Sequence, residues 1–200
     1  MGKQKGLFIV FEGLDGAGTS SQTQILYERL LAEGKEVVKT KEPTDGTIGQ
    51  FIKAILKKEY KSSPLALQLL FCADRAEHLE TEILPALNKN KIVISDRYFQ
   101  STLAYGGLNL PLTLLKNLNR CFRKPDLSIF IDVSATTCLQ RIKTSRTKLE
   151  IFEEKKKLSL IAENYKKILN DPYFGMKTID GEKSLTAVAD AIYILIASYL

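Results

Sequence analysis

The stretch Leu7-Phe8-Ile9-Val10-Phe11-Glu12-Gly13-Leu14-Asp15-Gly16-Ala17-Gly18-Thr19-Ser20 passes from an apolar, β-branched and aromatic segment straight into a glycine-rich turn. The apolar run predicts a buried strand, and the recurrence of Ile25, Leu26, Leu30 and Leu31 predicts a helix that opens at Ser20 and stops near Gly34. From Gly13 to Ser20 the order fits the phosphate-binding pattern G-x-x-x-x-G-K-[ST] at every fixed position but one, where Thr19 replaces the lysine. Glycines let successive backbone N–H groups face phosphate oxygens, and a helix N-terminus adds its positive end. In this pattern Ser20 is the hydroxyl that holds Mg²⁺. Read alone, the loop has a plain alternative, a tight strand-to-helix turn with no ligand.

Outward from the loop, the same alternation repeats. Short strands are expected at Val37-Val38, Ile92 to Ile94, Leu127 to Val133 and around Lys177 to Asp180. Helical patterns run from Ile48 to Leu56, from Leu65 to Leu87 after Pro64, through Leu139 and Ile142, up to about Leu169, and onward from Leu185. The expected fold is a three-layer α/β domain, a parallel five-stranded sheet with helices on both faces and ligands beyond the strands' carboxyl ends. With 200 residues and no repeat or linker, residues 1–200 make one domain, in which the charged stretch about 143–155 reads as a mobile lid.

Composition narrows the function. The 44% hydrophobic and 26% charged fractions fit a packed globular chain and exclude wholesale disorder. The run from Leu7 to Phe11 is too short for a membrane span or a signal-peptide core, so the chain reads as cytoplasmic. Cys72, Cys121 and Cys138 are an odd, widely spaced set, expected reduced and buried. A net charge of +6, from 29 basic and 23 acidic residues, implies an acidic partner. The charge is dispersed, and its one continuous run, Lys155 to Lys157, reads as a solvated helix face, which favours a phosphorylated small molecule over nucleic acid.

Two further clusters carry chemistry. Ser95-Asp96-Arg97-Tyr98, with Ser101 and Tyr105 following, sets a carboxylate suited to Mg²⁺ beside a guanidinium suited to phosphate, though a structural ion pair would look the same. Phe71 and Arg75 lie one helical turn apart on one face, where a core role for Phe71 is the plain alternative.

Taken together, Phe8 to Gly18, Glu42-Pro43, Leu69 to His78, and Asp96 to Tyr105 resemble the thymidylate kinases, P-loop nucleoside monophosphate kinases, along nearly the whole chain. The resemblance implies transfer of the γ-phosphoryl of ATP to dTMP with Mg²⁺ (EC 2.7.4.9), by a homodimer. It implies that Gly13, Leu14, Asp15, Gly16, Ala17, Gly18, Thr19 and Ser20 take the ATP phosphates. Asp15 would reach the sugar, Phe71 would stack on thymine, Arg75 would bond a base carbonyl and Arg97 would grip the monophosphate. Ser101, Thr102 and Tyr105 would line base and sugar, and Ser20, Glu42 and Asp96 would set the metal and its water. His78 has no task in this scheme and reads as structural.

The departures matter as much. Thr19 stands for a lysine, Gly106 for a common glutamine, and Ile151 for a common lid arginine; each removes a donor. Phosphoryl transfer rests on positioning and charge neutralisation, so the charge must come from elsewhere, with Arg146 the first candidate, Arg141 the second, and Lys143 and Lys148 nearby. Gly16 argues the same way, because family members that carry a catalytic arginine in the loop have it there. A kinase for another pyrimidine monophosphate such as dUMP, and a nucleotide-binding protein without catalysis, remain alternatives.

Overall fold

The computed structural model describes residues 6–142 and 148–200, with backbone alone for 148–153. Five strands, β1 (Leu7–Gly13), β2 (Val37–Lys41), β3 (Ile92–Asp96), β4 (Leu127–Asp132) and β5 (Lys177–Asp180), form one sheet in the order β2-β3-β1-β4-β5. Every pairing is parallel, with Phe8 opposite Val93 and Ile9 opposite Leu127. β1 is central and paired on both sides, which explains its unbroken apolar run.

Successive residues of β1 point to opposite faces, and the core divides accordingly. Ile9 and Phe11 join a cluster with Leu26 and Leu30 of α1 (Thr19–Ala32) and with Ile192 and Ile196 of α9 (Leu185–Ala197). Phe8 and Val10 join a second cluster with Ile83, Leu87, Tyr98 and Phe99. The remaining helices are α2 (Thr47–Leu56), α3 (Pro64–His78), α4 (Leu84–Asn88), α5 (Phe99–Gly106), α6 (Leu112–Asn119), α7 (Ala135–Arg141) and α8 (Lys148–Leu169).

Three expectations need correction. The helix from Leu65 to Leu87 is not regular: α3 passes through a π-helical turn, Leu79–Ile83, into α4. Pro85 lies in α4; a proline ring clashes with the carbonyl four residues back and offers no N–H, and a π turn takes up that mismatch. Helix α8 begins at Lys148, so residues 148–155 of the expected lid are helical, as their lysine- and glutamate-rich composition favours. The cysteines are free, but only Cys138 is buried; Cys72 is half-buried and Cys121 exposed. Helices α5 and α6 were absent from the sequence reading. Among the described residues no helix is long and apolar enough to cross a membrane.

Candidate functional site

The polar residues that end β1 and β3 converge at the carboxyl edge of the sheet, where clefts open on several sides. The loop Gly13 to Ser20 joins β1 to α1, with Gly16 at φ 86° and Gly18 at φ 94°, left-handed conformations that glycine adopts without penalty. Gly16 is also a close approach: a Cβ there would lie 2.6 Å from the Cys138 carbonyl oxygen of α7. The loop borders a cleft of about 620 Å³ shared with Arg97, Arg141, Gly181 and Lys183. Arg141 donates through Nη2 to the Gly181 carbonyl at 3.0 Å and through Nη1 to the Ala17 carbonyl at 3.4 Å, tying the loop to the end of β5. Lys183 is a cation the sequence reading missed; its signal was the one used elsewhere, a polar residue just after a strand's carboxyl end. Arg146 and Lys143 lie outside the described residues, as do the side chains of Lys148 and Ile151.

Ser20 Oγ donates to Asp96 Oδ2, joining the start of α1 to the end of β3. Asp96 Oδ1 is buried and has no hydrogen-bond partner among the described residues. A hydroxyl beside an unsatisfied carboxylate oxygen suits Mg²⁺, which takes one or two protein oxygens and fills its sphere with water and phosphate. Glu42, expected in the metal set, is turned elsewhere. Its Oε2 accepts from Arg75 Nε at 2.9 Å and Nη2 at 2.7 Å, and its Oε1 faces His78 Nδ1 at 3.1 Å. Both oxygens serve cations of α3.

A second cleft, of about 560 Å³, is lined by Phe71, Arg75, Arg97, Ser101, Thr102 and Tyr105, with Asp15 at its rim. Arg75 is 1% exposed, an extreme burial for a charge. Besides Glu42 it donates to Thr102 Oγ1 at 3.0 Å and to Asn119 Oδ1, and its guanidinium lies 5.0 Å from the Tyr98 ring centre. Asn119, at the end of α6, had no sequence signal because its partner is 44 residues away. The Asp15 N–H donates to the Tyr105 hydroxyl at 3.0 Å. Lys157 of the supposed solvated run is exposed, and it also borders this cleft.

Arg97 has φ 74°, a left-handed backbone that costs a non-glycine residue on the order of 1–3 kcal/mol and persists only where its surroundings hold it. They do so here. Its N–H donates to the Phe11 carbonyl at 2.9 Å, and its carbonyl accepts from Ser95 Oγ at 2.7 Å. Its side chain donates to the Gly13 carbonyl at 3.0 Å and to Ser101 Oγ at 2.9 Å.

Behind Arg97 sits Glu12, fully buried and not singled out in the sequence. Oε1 accepts from the Tyr98 and Ser101 N–H groups at 3.0 and 3.1 Å, capping α5; Oε2 accepts from the Ser101 hydroxyl and from the Tyr165 hydroxyl of α8 at 2.8 Å. Burial pushes the Glu12 carboxyl up to about 6, against the opposing pull of Arg97 and these bonds. His78 is also raised, but by the opposite cause. Burial works against its charge, but hydrogen bonds to Glu42 and Glu82 outweigh it and lift the imidazole to about 9.

A family model described as thymidylate kinase matches residues 11–192. A protein of Thermococcus kodakarensis described as a probable thymidylate kinase is 41% identical over 206 residues, covering 97% of this chain and 98% of its own. One of Pyrococcus horikoshii with the same description is 38% identical over 198 residues, covering 96% of each. A protein of Leptospira interrogans described as thymidylate kinase is 37% identical over 187 residues, covering 92% of this chain and 90% of its own. With the loop, the two clefts and this end-to-end similarity together, the chain belongs to the thymidylate kinase family.

Proposed function

We infer that the chain transfers the γ-phosphoryl group of ATP to dTMP, giving dTDP and ADP. The observation that carries this reading is that Asp15 and Arg97 line both clefts, so the two compartments meet at a carboxylate and a fixed guanidinium. A donor nucleotide on the loop and an acceptor monophosphate on Arg97 would face each other there, which is what in-line phosphoryl transfer needs. An oxygen of the acceptor phosphate bonds to the γ-phosphorus as the bond to the bridging oxygen breaks, and ADP leaves without any covalent enzyme intermediate.

The backbone of the loop from Gly13 to Ser20 binds the ATP phosphates, and Arg141 closes that cleft's far wall. Arg97 grips and orients the dTMP phosphate, Phe71 stacks on the base, and Arg75, immobilised by Glu42, Asn119 and Thr102, donates to a base carbonyl. Ser101, Thr102 and Tyr105 line base and sugar. Ser20 and Asp96 would hold Mg²⁺, which supplies charge neutralisation for the β- and γ-phosphates. The charge missing at Thr19 comes from the charged segment that leads into α8, with Arg146 as first candidate. The chain is cytoplasmic and acts as a homodimer through α3, where Leu65 and Leu69 are 41% and 47% exposed; sizing in solution tests the dimer.

A coupled assay of ADP formation across monophosphates tests the reaction. It should give turnover with dTMP, less with dUMP, which lacks one methyl worth about 1–3 kcal/mol, and little with purine monophosphates. No turnover of any monophosphate by folded protein would leave nucleotide binding without catalysis.

A further inference from the structure

Two thiols from different elements address one carbonyl. Cys72 of α3 and Cys121, in the turn after α6, place their sulfurs 4.0 and 3.9 Å from the Leu118 oxygen. Cys72 is half-buried, Cys121 is exposed, and both are free. Thiols aimed at one acceptor lie within reach of each other, and a disulfide brings such sulfurs to about 2.05 Å with Cα atoms closer than about 7 Å. The exposed turn that carries Cys121 supplies the approach, while Cys72 is fixed within its helix.

Cys72 follows Phe71 directly and precedes Arg75 by about one turn of α3. Its S–H also faces Asn119 Oδ1 at 3.9 Å, the same oxygen that accepts from Arg75. Asn119 is buried at the end of α6, two residues before Cys121. A bond between the two sulfurs therefore pulls on the residue that holds Arg75 at the acceptor cleft. We propose that Cys72 and Cys121 are an oxidation site, a thiol pair that closes into a disulfide within one chain and, through Asn119, loosens Arg75 and weakens the acceptor. The second half rests on the reading that Phe71 and Arg75 receive the base of dTMP.

The oxidant is a low-molecular-weight disulfide. The Cys121 thiolate attacks one of its sulfurs, forming a mixed disulfide and expelling one thiolate; the Cys72 thiolate then attacks Cys121 Sγ, forming the protein disulfide and expelling the other. The two protons given up by the protein thiols pass to the leaving thiolates, so the pair loses two electrons and the small disulfide becomes two thiols. Burial pushes the Cys72 thiol up, which suits it to resolve the mixed disulfide and leaves the exposed Cys121 to react first.

The test incubates the full chain with oxidised glutathione. Three free thiols should fall to one, and unreduced peptides should show Cys72 joined to Cys121 at single-chain mobility on a non-reducing gel. The kcat/KM for dTMP should fall about tenfold, as loss of one charge-assisted bond does, with the KM for ATP within about twofold and full recovery in dithiothreitol. Cys72→Ser and Cys121→Ser should keep their activity through the same treatment. Three thiols still free, glutathione held on Cys121 alone, or a bond between two chains would each overturn the oxidation site. A bond formed with unchanged dTMP kinetics overturns its effect on the acceptor. Phe71→Ala in the reduced protein then shows which claim failed: if dTMP binding stays intact, the cleft reading fails; if it weakens, only the coupling through Asn119 is dismissed.

Discussion

Arg97 Nη2 lies 2.7 Å from Asp15 Oδ1, so the guanidinium bordering both clefts is already held by a carboxylate of the glycine-rich loop. An arriving phosphate therefore meets a charge that is oriented in advance, and little ordering is left for binding to supply. Arg97→Ala should weaken dTMP by well over tenfold, from loss of a charge-assisted bond of about 1.5–3 kcal/mol, and change ATP affinity by less than twofold. Calorimetric titrations with each nucleotide check this, and equal dTMP affinity in variant and parent would remove Arg97 from the role.

Glu12 joins β1, α5, α8 and Arg97's neighbours at a single buried carboxylate. Glu12→Ala leaves the Tyr98 and Ser101 amides without their acceptor and takes one partner from the Ser101 and Tyr165 hydroxyls, a change expected to cost about 3–5 kcal/mol. Glu12→Gln keeps one oxygen and should cost roughly half as much. Denaturant unfolding of both variants measures this, and a Glu12→Ala loss below about 1 kcal/mol would show that the node is dispensable.

Stability should fall on the alkaline side through His78. Its folded-state value is about 9 against 6.5 in the unfolded chain, so its contribution is complete below pH 6.5 and is lost as pH rises through 9. One proton gives a slope of up to about 1.4 kcal/mol per pH unit across that window. Thermal melts of parent and His78→Asn between pH 6 and 9.5 should converge as pH rises; parallel curves would mean that folding leaves the proton affinity of His78 unchanged.

The two lid-side arginines should separate kinetically. Arg141 bonds to the loop and to the end of β5, so Arg141→Ala should raise the KM for ATP by about tenfold with the KM for dTMP steady. Arg146→Ala should instead lower kcat by a factor of ~10², as loss of a transition-state charge does. Thr19→Lys should then recover more activity in the Arg146→Ala background than in the parent. Purely additive effects in that cycle would show that the two positions do not share one task.

The strands, their parallel pairing and the shared cleft of Phe71 and Arg75 were legible because local signals carried them: apolar runs for β1, β3 and β4, strand-end polar residues for Asp96 and Arg97, and helical spacing for Phe71 and Arg75. What stayed hidden depends on distant partners. Helix α5 has no capping residue of its own at Tyr98; Glu12, 86 and 89 residues from the amides it accepts from, does that work. Glu42 joined the metal set only through the family resemblance, and the fold reveals Arg75 and His78 closing on it.

The contact between Gly16 and α7 bears on how such a loop can be changed. Any other residue at 16 would need both a left-handed backbone and room within 2.6 Å of the Cys138 carbonyl, so a single codon change cannot install a loop arginine here. The helix would have to shift first. Loop and helix are thus fitted to each other, and a chimera that imports a loop bearing a side chain at this position must import an α7 that leaves room for it.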